Sequence, residues 1–278
     1  MIIWIASYPK SGNTYVRSFL SAYYYSKKGK FDFELLLNIK QFPALRYSSK
    51  KAYTFLDAAS SWIPNQKNFF KKDEFYLLKT HNSLEEYFGN KFTTTSETAG
   101  VIYIVRDPRN VISSMCNHYS LNIDEAYAKM IDNNSSLSFK TADGDLSNFT
   151  FLGSWSNHYR SWKNNLHFKT LIIKYEDLRD NTYEEFNKIL NFIENLKGTN
   201  NEINEEKMIN SINSTSFSNL KNKEKLYGFG ESTVSKDGKS INFFNLGFNN
   251  KWEKFLSKEI SDKIKDQILN ELKELNYE

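Results

Sequence analysis

Residues 2–20 read IIWIASYPKSGNTYVRSFL. The apolar run 2–6 has the composition of a strand buried on both faces. The stretch Ser7-Tyr8-Pro9-Lys10-Ser11-Gly12-Asn13-Thr14 is short and polar, and a helical pattern follows it at once. In a strand–loop–helix turn of this kind, successive backbone N–H groups and the positive end of the helix dipole converge on one point and favour an anion. The loop therefore points to an anionic group, with the phosphates of a nucleotide as its natural occupant. Its order departs from the ATPase pattern G-x-x-x-x-G-K-[ST]. Lys10 precedes Gly12 by two residues, Ser11 lies between them, and no first glycine stands in the expected place. An ordinary magnesium–ATP reading is the weaker one, and the loop alone also admits a plain turn carrying a surface lysine.

Three more short apolar runs, at 75–78, 101–105 and 170–173, are rich in β-branched or aromatic residues and are separated by long helical patterns. Together with 2–6 they predict an α/β fold in three layers, P-loop-like, with a central parallel sheet flanked by helices. Pro108 stands where a helix begins after the third run, and proline suits a first helical turn. Residues 154–166 and 183–196 read as further helices. Residues 257–275 place Ile260, Ile264, Ile268, Leu269, Leu272 and Leu275 on one face, a closing amphipathic helix. Residues 133–148 and 198–206 are polar and rich in Asn, Ser and Gly, and read as loops. No Pro/Gly-rich linker divides the 278 residues, and the candidate site residues are spread along them, so one domain, 1–278, is expected.

Composition narrows the function classes. Mean hydropathy is −0.61 and no apolar stretch reaches the ~20 residues of a membrane span. The single cysteine, Cys116, rules out a disulfide framework and a thiolate metal cluster, so a cytoplasmic setting is the default. Net charge is +4 and the lysine pairs are broken up by acids and aromatics, which fits solvated surface better than a nucleic-acid stripe.

Taken with the rest of the chain, SYPKSGNTYVRSFL resembles the 5'-phosphosulfate loop of the cytosolic-type sulfotransferases, roughly YPKSGTTW. Those enzymes transfer a sulfuryl group from 3'-phosphoadenosine-5'-phosphosulfate (PAPS). The resemblance implies that Lys10 meets the 5'-phosphate and the bridging oxygen. Ser11, Gly12, Asn13 and Thr14 would supply N–H and hydroxyl donors, and Tyr15 replaces the family's tryptophan near the adenine. Five further segments follow in family order. Arg106 and Ser114, eight residues apart in VRDPRNVISS, resemble the pair that holds the 3'-phosphate; Arg offers a fork of donors to such a group. Arg109 reads as surface. Lys79-Thr80-His81 resembles the family's K-T-H at the end of a strand, where ligands of open α/β sheets bind. This implies His81 as general base and Lys79 as a stabiliser of the transferring group. Tyr175 in KYEDL and Thr215, Phe217 and Leu220 in TSFSNLK resemble the adenine surround. Gly153-Ser154-Trp155, with His158 and Trp162, resembles a helix that the family places between the third and fourth of these strands. His158 is a secondary acceptor-site candidate.

The last segment departs from R-K-G-x-x-G-D-W. Gly247 and Trp252 keep their spacing, but Asn245 and Leu246 stand where the family has Arg and Lys, and Asn250 replaces the second glycine. One cation of the 3'-phosphate clamp is missing, with Lys239 or Lys251 as candidate substitutes.

The resemblance, from residue 2 to about 260, implies a bacterial-type sulfotransferase that uses PAPS and no metal. It would act on a hydroxyl or amine of a small molecule, lipid or glycan. The acceptor pocket is expected from the loops at 22–72, 82–95 and 121–148. The chain starts at its first strand, without the N-terminal extension of animal members, and shows no family dimerisation sequence, which leaves the oligomeric state open. The alternatives are a non-catalytic nucleotide-binding protein on the same fold and, with Asp107 as metal ligand, a small-molecule kinase.

Overall fold

A computed structural model describes residues 1–199, 201–235 and 237–278. Four strands, β1 (Ile2–Ser7), β2 (Tyr76–Thr80), β3 (Thr98–Val105) and β4 (Lys169–Lys174), form one sheet in the order β2-β1-β3-β4. Every pairing in it is parallel: Trp4 lies between Leu78 and Val101, and Tyr103 faces Ile172. The four expected runs are these strands, extended by one to three residues at one or both ends, except that the second begins at Tyr76, one residue later than expected.

Alternate residues of β1 feed two cores, as the two-residue period of a strand requires. Ile3 and Ile5 meet Val16, Phe19 and Phe186 on one face. Trp4 and Ala6 meet Phe92, Trp162 and the closing helix's Ile264 and Leu272 on the other. The first face is covered by α1 (Asn13–Tyr25) and by the helix Thr182–Lys197, the second by the helices Trp155–Lys163 and Lys258–Glu274. Helices on both sides of a parallel sheet give the expected three layers.

The differences from the sequence reading are local. Helices Phe55–Ser60 and Trp62–Phe69 occupy part of the first expected acceptor loop, and Ile123–Ile131 part of the third. Their start signals are present: Thr54 with Asp57, and Asn122 with Glu125, each form a reciprocal capping box. The expected loop 133–148 contains one short strand, Ser136–Leu137, paired with Thr150–Phe151. Within the expected loop 198–206, residue 200 lies outside the described residues, and a helix starts at Glu205.

Because all four strands run the same way, their C-terminal ends share one edge. Ser7, Thr80, Val105 and Lys174 end there, so the residues that follow them (the 8–12 loop, His81, Arg106 and Tyr175) are brought together by topology alone.

Candidate active site

The loop after β1 is built by two left-handed residues. Lys10 has φ 66° and Gly12 φ 101°, and α1 starts directly after Gly12, whose carbonyl accepts from the amides of Tyr15 and Val16. First-turn amides lack intrahelical acceptors, so this end of α1 keeps donors for an anion. Gly12 is required twice: a Cβ there would also lie 2.3 Å from the Tyr175 ring. Arg106 reaches across from β3, donates from Nη1 to the Lys10 carbonyl at 2.9 Å, and lies over Tyr175 at 4.4 Å from the ring centre. The Asn13 side chain is spent on the scaffold: Nδ2 donates to the Ile5 carbonyl at 2.9 Å and to Ser7 Oγ at 3.3 Å.

His81 Nδ1 lies 2.8 Å from the Ser7 carbonyl and 3.3 Å from Ser7 Oγ. A carbonyl can only accept, so Nδ1 carries the proton and Nε2 keeps its lone pair. Burial, reinforced by the charge of Lys79, holds this imidazole well below its ordinary pKa. It is a neutral ring at neutral pH. His158 stands behind it. Its Nε2 donates to the His81 carbonyl at 3.0 Å, and its Nδ1 is 2.8 Å from the Tyr103 hydroxyl. His158 is fully buried, so it braces the His81 backbone and is not the acceptor-site residue its position had suggested.

Charge is concentrated at one point. Burial, with Lys79 and Arg106 nearby, lowers Lys10 to about 7, and its ammonium lies 3.9 Å from the centre of the Phe243 ring. Burial also lowers Lys79. Glu231 lies among these cations and was not anticipated. Its Oε2 accepts from Thr14 Oγ1 at 3.0 Å and from Lys79 Nζ at 3.3 Å, and its Oε1 accepts from Arg17 at 2.6 Å. Burial alone would raise this carboxyl, but Lys79 and Arg17 outweigh it and hold the group well below the carboxylate range.

These groups open into a cavity of about 830 Å³. Of the residues expected to act in catalysis or to hold PAPS, all except Ser11 and Thr215 line it; His158, Lys239 and Lys251 do not. Ser11 is fully buried, and its Oγ has no partner among the described residues. The Thr215 hydroxyl is committed to the Ser211 carbonyl at 2.7 Å, as Ser and Thr near helix ends often are. At the aromatic end are Tyr15, Tyr175, Phe217 and Leu220, joined by Phe248, which stacks on Tyr175 at 4.9 Å. Gly247 is pressed against Phe217, where a Cβ would come within 2.5 Å.

Other expectations are corrected here. Arg109 is buried, not surface: it pairs with Asp107, donates to the Tyr277 carbonyl and lies over Trp252. Asp107 is therefore engaged by Arg109. Lys239 and Lys251 do not line the cavity, whereas Asn245 and Leu246 do. Asn250 ties the segment down, accepting from Ser113 Oγ at 2.8 Å and donating to the Asn110 carbonyl at 2.8 Å. Of the three loops expected around an acceptor, 121–148 supplies Leu121, Lys129 and residues 136–139, 22–72 supplies Gln41, and 82–95 supplies none. Arg17 is three residues past Thr14, the one-turn spacing that could have placed it beside that hydroxyl. Nothing in the pattern around Glu231, Lys129 or Phe248 marks them.

The sulfotransferase domain family matches residues 2–276. The chain belongs to the sulfotransferase family. Rat (Rattus norvegicus) sulfotransferase 1A1 is 27% identical over 223 residues, 78% of this chain and 66% of the relative. The amine sulfotransferase of rabbit (Oryctolagus cuniculus) is 25% identical over 227 residues, 79% of this chain and 62% of the relative. The chain thus spans just under two thirds of the length of these curated relatives. Among solved structures, mouse sulfotransferase SULT7A1 complexed with PAP is similar with a TM-score of 0.57 at 17% identity, covering 97% of this chain and 83% of that one. Retinol dehydratase in complex with androsterone and PAP has a TM-score of 0.61 at 16% identity, covering 98% and 80%. At these identities the likeness speaks for a shared sulfotransferase fold.

Proposed function

We propose that this sulfotransferase-family chain uses PAPS to sulfate a hydroxyl of a small-molecule, lipid or glycan acceptor, with His81 as general base. One observation carries the reading: the neutral, proton-accepting Nε2 of His81 shares one cavity with Lys79, Lys10 and the donor-rich N-terminus of α1. A nucleotide with two phosphates fits the residues present. Among the described residues Ser11 Oγ and Arg106 Nε are buried without partners, and Tyr15, Tyr175, Phe217 and Phe248 line the end of the cavity where a base would lie.

In this reading PAPS supplies an activated sulfuryl group. His81 Nε2 takes the acceptor's proton as the acceptor oxygen bonds to sulfur. The bond from sulfur to the 5'-phosphate oxygen breaks, and its electron pair leaves on 3',5'-adenosine bisphosphate (PAP), where Lys10 stands to offset the charge. Lys79 holds the sulfuryl oxygens. Catalysis is then positioning and charge stabilisation, as in phosphoryl transfer. The acceptor enters along Gln41, Lys129 and residues 136–139. Arg106, Ser114 and Gly247 hold the 3'-phosphate.

One observation favours a second reading, a non-catalytic nucleotide-binding protein: Asn245 and Leu246 remove cationic holds from the 3'-phosphate end. Two measurements separate the readings. Melting of the purified protein is expected to shift upward with PAP and not with AMP or with ATP and magnesium. Incubation with labelled PAPS and a panel of alcohols, phenols, amines and glycans is then expected to yield a sulfated product. A PAP response with no product from any acceptor would favour the binding protein. A response to ATP with magnesium alone would overturn both.

A further inference from the structure

Glu231 brings a negative charge into a site whose other residues gather positive charge. Its carboxylate is met by three donors, and none belongs to its own segment: Thr14 and Arg17 come from α1 and Lys79 from β2. Oε2 sits where the Thr14 hydroxyl and the Lys79 ammonium converge, the position and polarity of an anionic oxygen. Arg17 and Lys79 are almost fully enclosed, with side chains 8% and 7% exposed, whereas Glu231 keeps 27% of its own exposed on the cavity wall. The carboxylate is thus a lining group and not part of the core.

Its attachment allows withdrawal. Glu231 follows Gly228, at φ 72°, and Gly230, between the helix Phe217–Tyr227 and the short strand Thr233–Val234. The chain beyond it is held independently. Ser232 Oγ donates to Glu224, whose carboxylate also accepts the Phe243 and Phe244 amides, and Thr233 Oγ1 donates to the His118 carbonyl at 2.7 Å. The Glu231 side chain can leave its partners without unmaking the segment.

From this we infer that Glu231 is an internal stand-in for the sulfuryl group: it occupies the Lys79–Thr14 seat in the donor-free and PAP-bound states and yields it to the sulfuryl oxygens of PAPS. The inference rests on the proposed donor site, with Lys79 toward the sulfuryl end. Glu231 then sets how strongly the protein distinguishes the charged donor from the spent one. Each PAPS bound must displace a carboxylate, and each transfer lets it return. It is a specificity-determining residue and takes no part in bond making.

The test compares PAPS and PAP binding by calorimetry in the wild type and in Glu231→Gln. Removing the competing charge is expected to tighten PAPS by about tenfold, the scale of one charge-assisted hydrogen bond, and to change PAP less than threefold. Unchanged or weaker PAPS binding would overturn the inference and make Glu231 a brace for Lys79 and Arg17. An equal gain for both nucleotides would overturn it too, since Glu231 would then compete with phosphate. If neither protein binds either nucleotide, the donor-site reading itself falls and takes this one with it. Should the variant fail to fold, hydrogen exchange on the wild type decides. Amides 229–233 are expected to exchange faster with PAPS than with PAP, and equal or slower exchange would overturn the proposal.

Discussion

Two features of His81 have separate physical origins. The Ser7 carbonyl fixes the tautomer, and burial beside Lys79 keeps the ring uncharged. Removing the ring by His81→Ala should cost about 10²–10⁴ in turnover, the range for a positioned base. PAP affinity should stay within a few-fold, because the Lys10 loop and Arg106 are untouched. Near-normal turnover would remove His81 from the mechanism. The depressed pKa also fixes the acid limb. The base form is already present at pH 6.5, so on the acid side turnover should hold until the pH drops below the ordinary histidine range. Lys10 sets the opposite limb. Its ammonium is lowered to about 7 in the free protein, so PAP should bind more weakly as pH rises from 6 to 8. Lys10→Arg, charged throughout, should bind PAP with little change over the same interval; an unchanged decline in that variant would assign the limb to another group.

At the scale of elements, the segment Phe243–Asn250 holds Asn245 and Leu246, the positions at which the sequence departs from R-K-G-x-x-G-D-W. It carries three phenylalanines (Phe243, Phe244 and Phe248) and Gly247 into the cavity but no cation, and Asn250 pins it to the helix Pro108–Tyr119 through Ser113 and Asn110. Asn245 and Leu246 already line the cavity, so replacing both, Asn245→Arg with Leu246→Lys, puts charge at the wall without rebuilding the strap. Each charge-assisted hydrogen bond contributes about 1.5–3 kcal/mol, so PAP should bind at least tenfold more tightly. AMP, lacking the 3'-phosphate, should gain far less. An equal gain for AMP would place these positions away from the 3'-phosphate.

This strap also shows what could be read from the chain in advance. The strands were legible because burial on both faces leaves unbroken apolar runs. The 8–14 loop, Lys79 with His81, and Arg106 with Ser114 were nominated through the family resemblance, and the structure brings them to one cavity because they follow the C-terminal ends of neighbouring parallel strands. Glu231, Lys129 and Phe248 meet the site only through the tertiary path of loops, which leaves no period in the sequence. Arg109 misled for a related reason. Its partners Tyr277 and Trp252 lie more than 140 positions away, and a lone arginine after a proline reads as surface until they are in place.

For the molecule as a whole, the site depends on histidines buried in the neutral form, and this ties stability to pH. His158 is fully enclosed between β3 and the end of β2 and is lowered to about 4, chiefly by burial; His118 is lowered to about 3, by burial first and then by Lys10; His81 is lowered as well. In the unfolded chain these rings titrate near 6.5. Between that pH and about 4 the unfolded state binds protons that the folded state refuses, so the stability they support is complete above about 6.5 and is lost as pH falls. His158 alone accounts for ~3 kcal/mol by pH 4. Carboxylates held below their usual range, such as Glu231, add to the loss only below their ordinary pKa near 4.5. Lys10, lowered to about 7, has regained its proton by about pH 6, so the interval from pH 6 to 5 is the one in which the histidines dominate the slope. Denaturant unfolding across it should show stability falling with the slope of up to three protons. His158→Gln keeps a donor for the His81 carbonyl, and should start less stable at pH 6 but fall with a slope about one proton shallower. A variant that loses stability with the wild-type slope would mean that His158 is protonated in the folded state, and the buried brace behind His81 would have to be redrawn as a charged one.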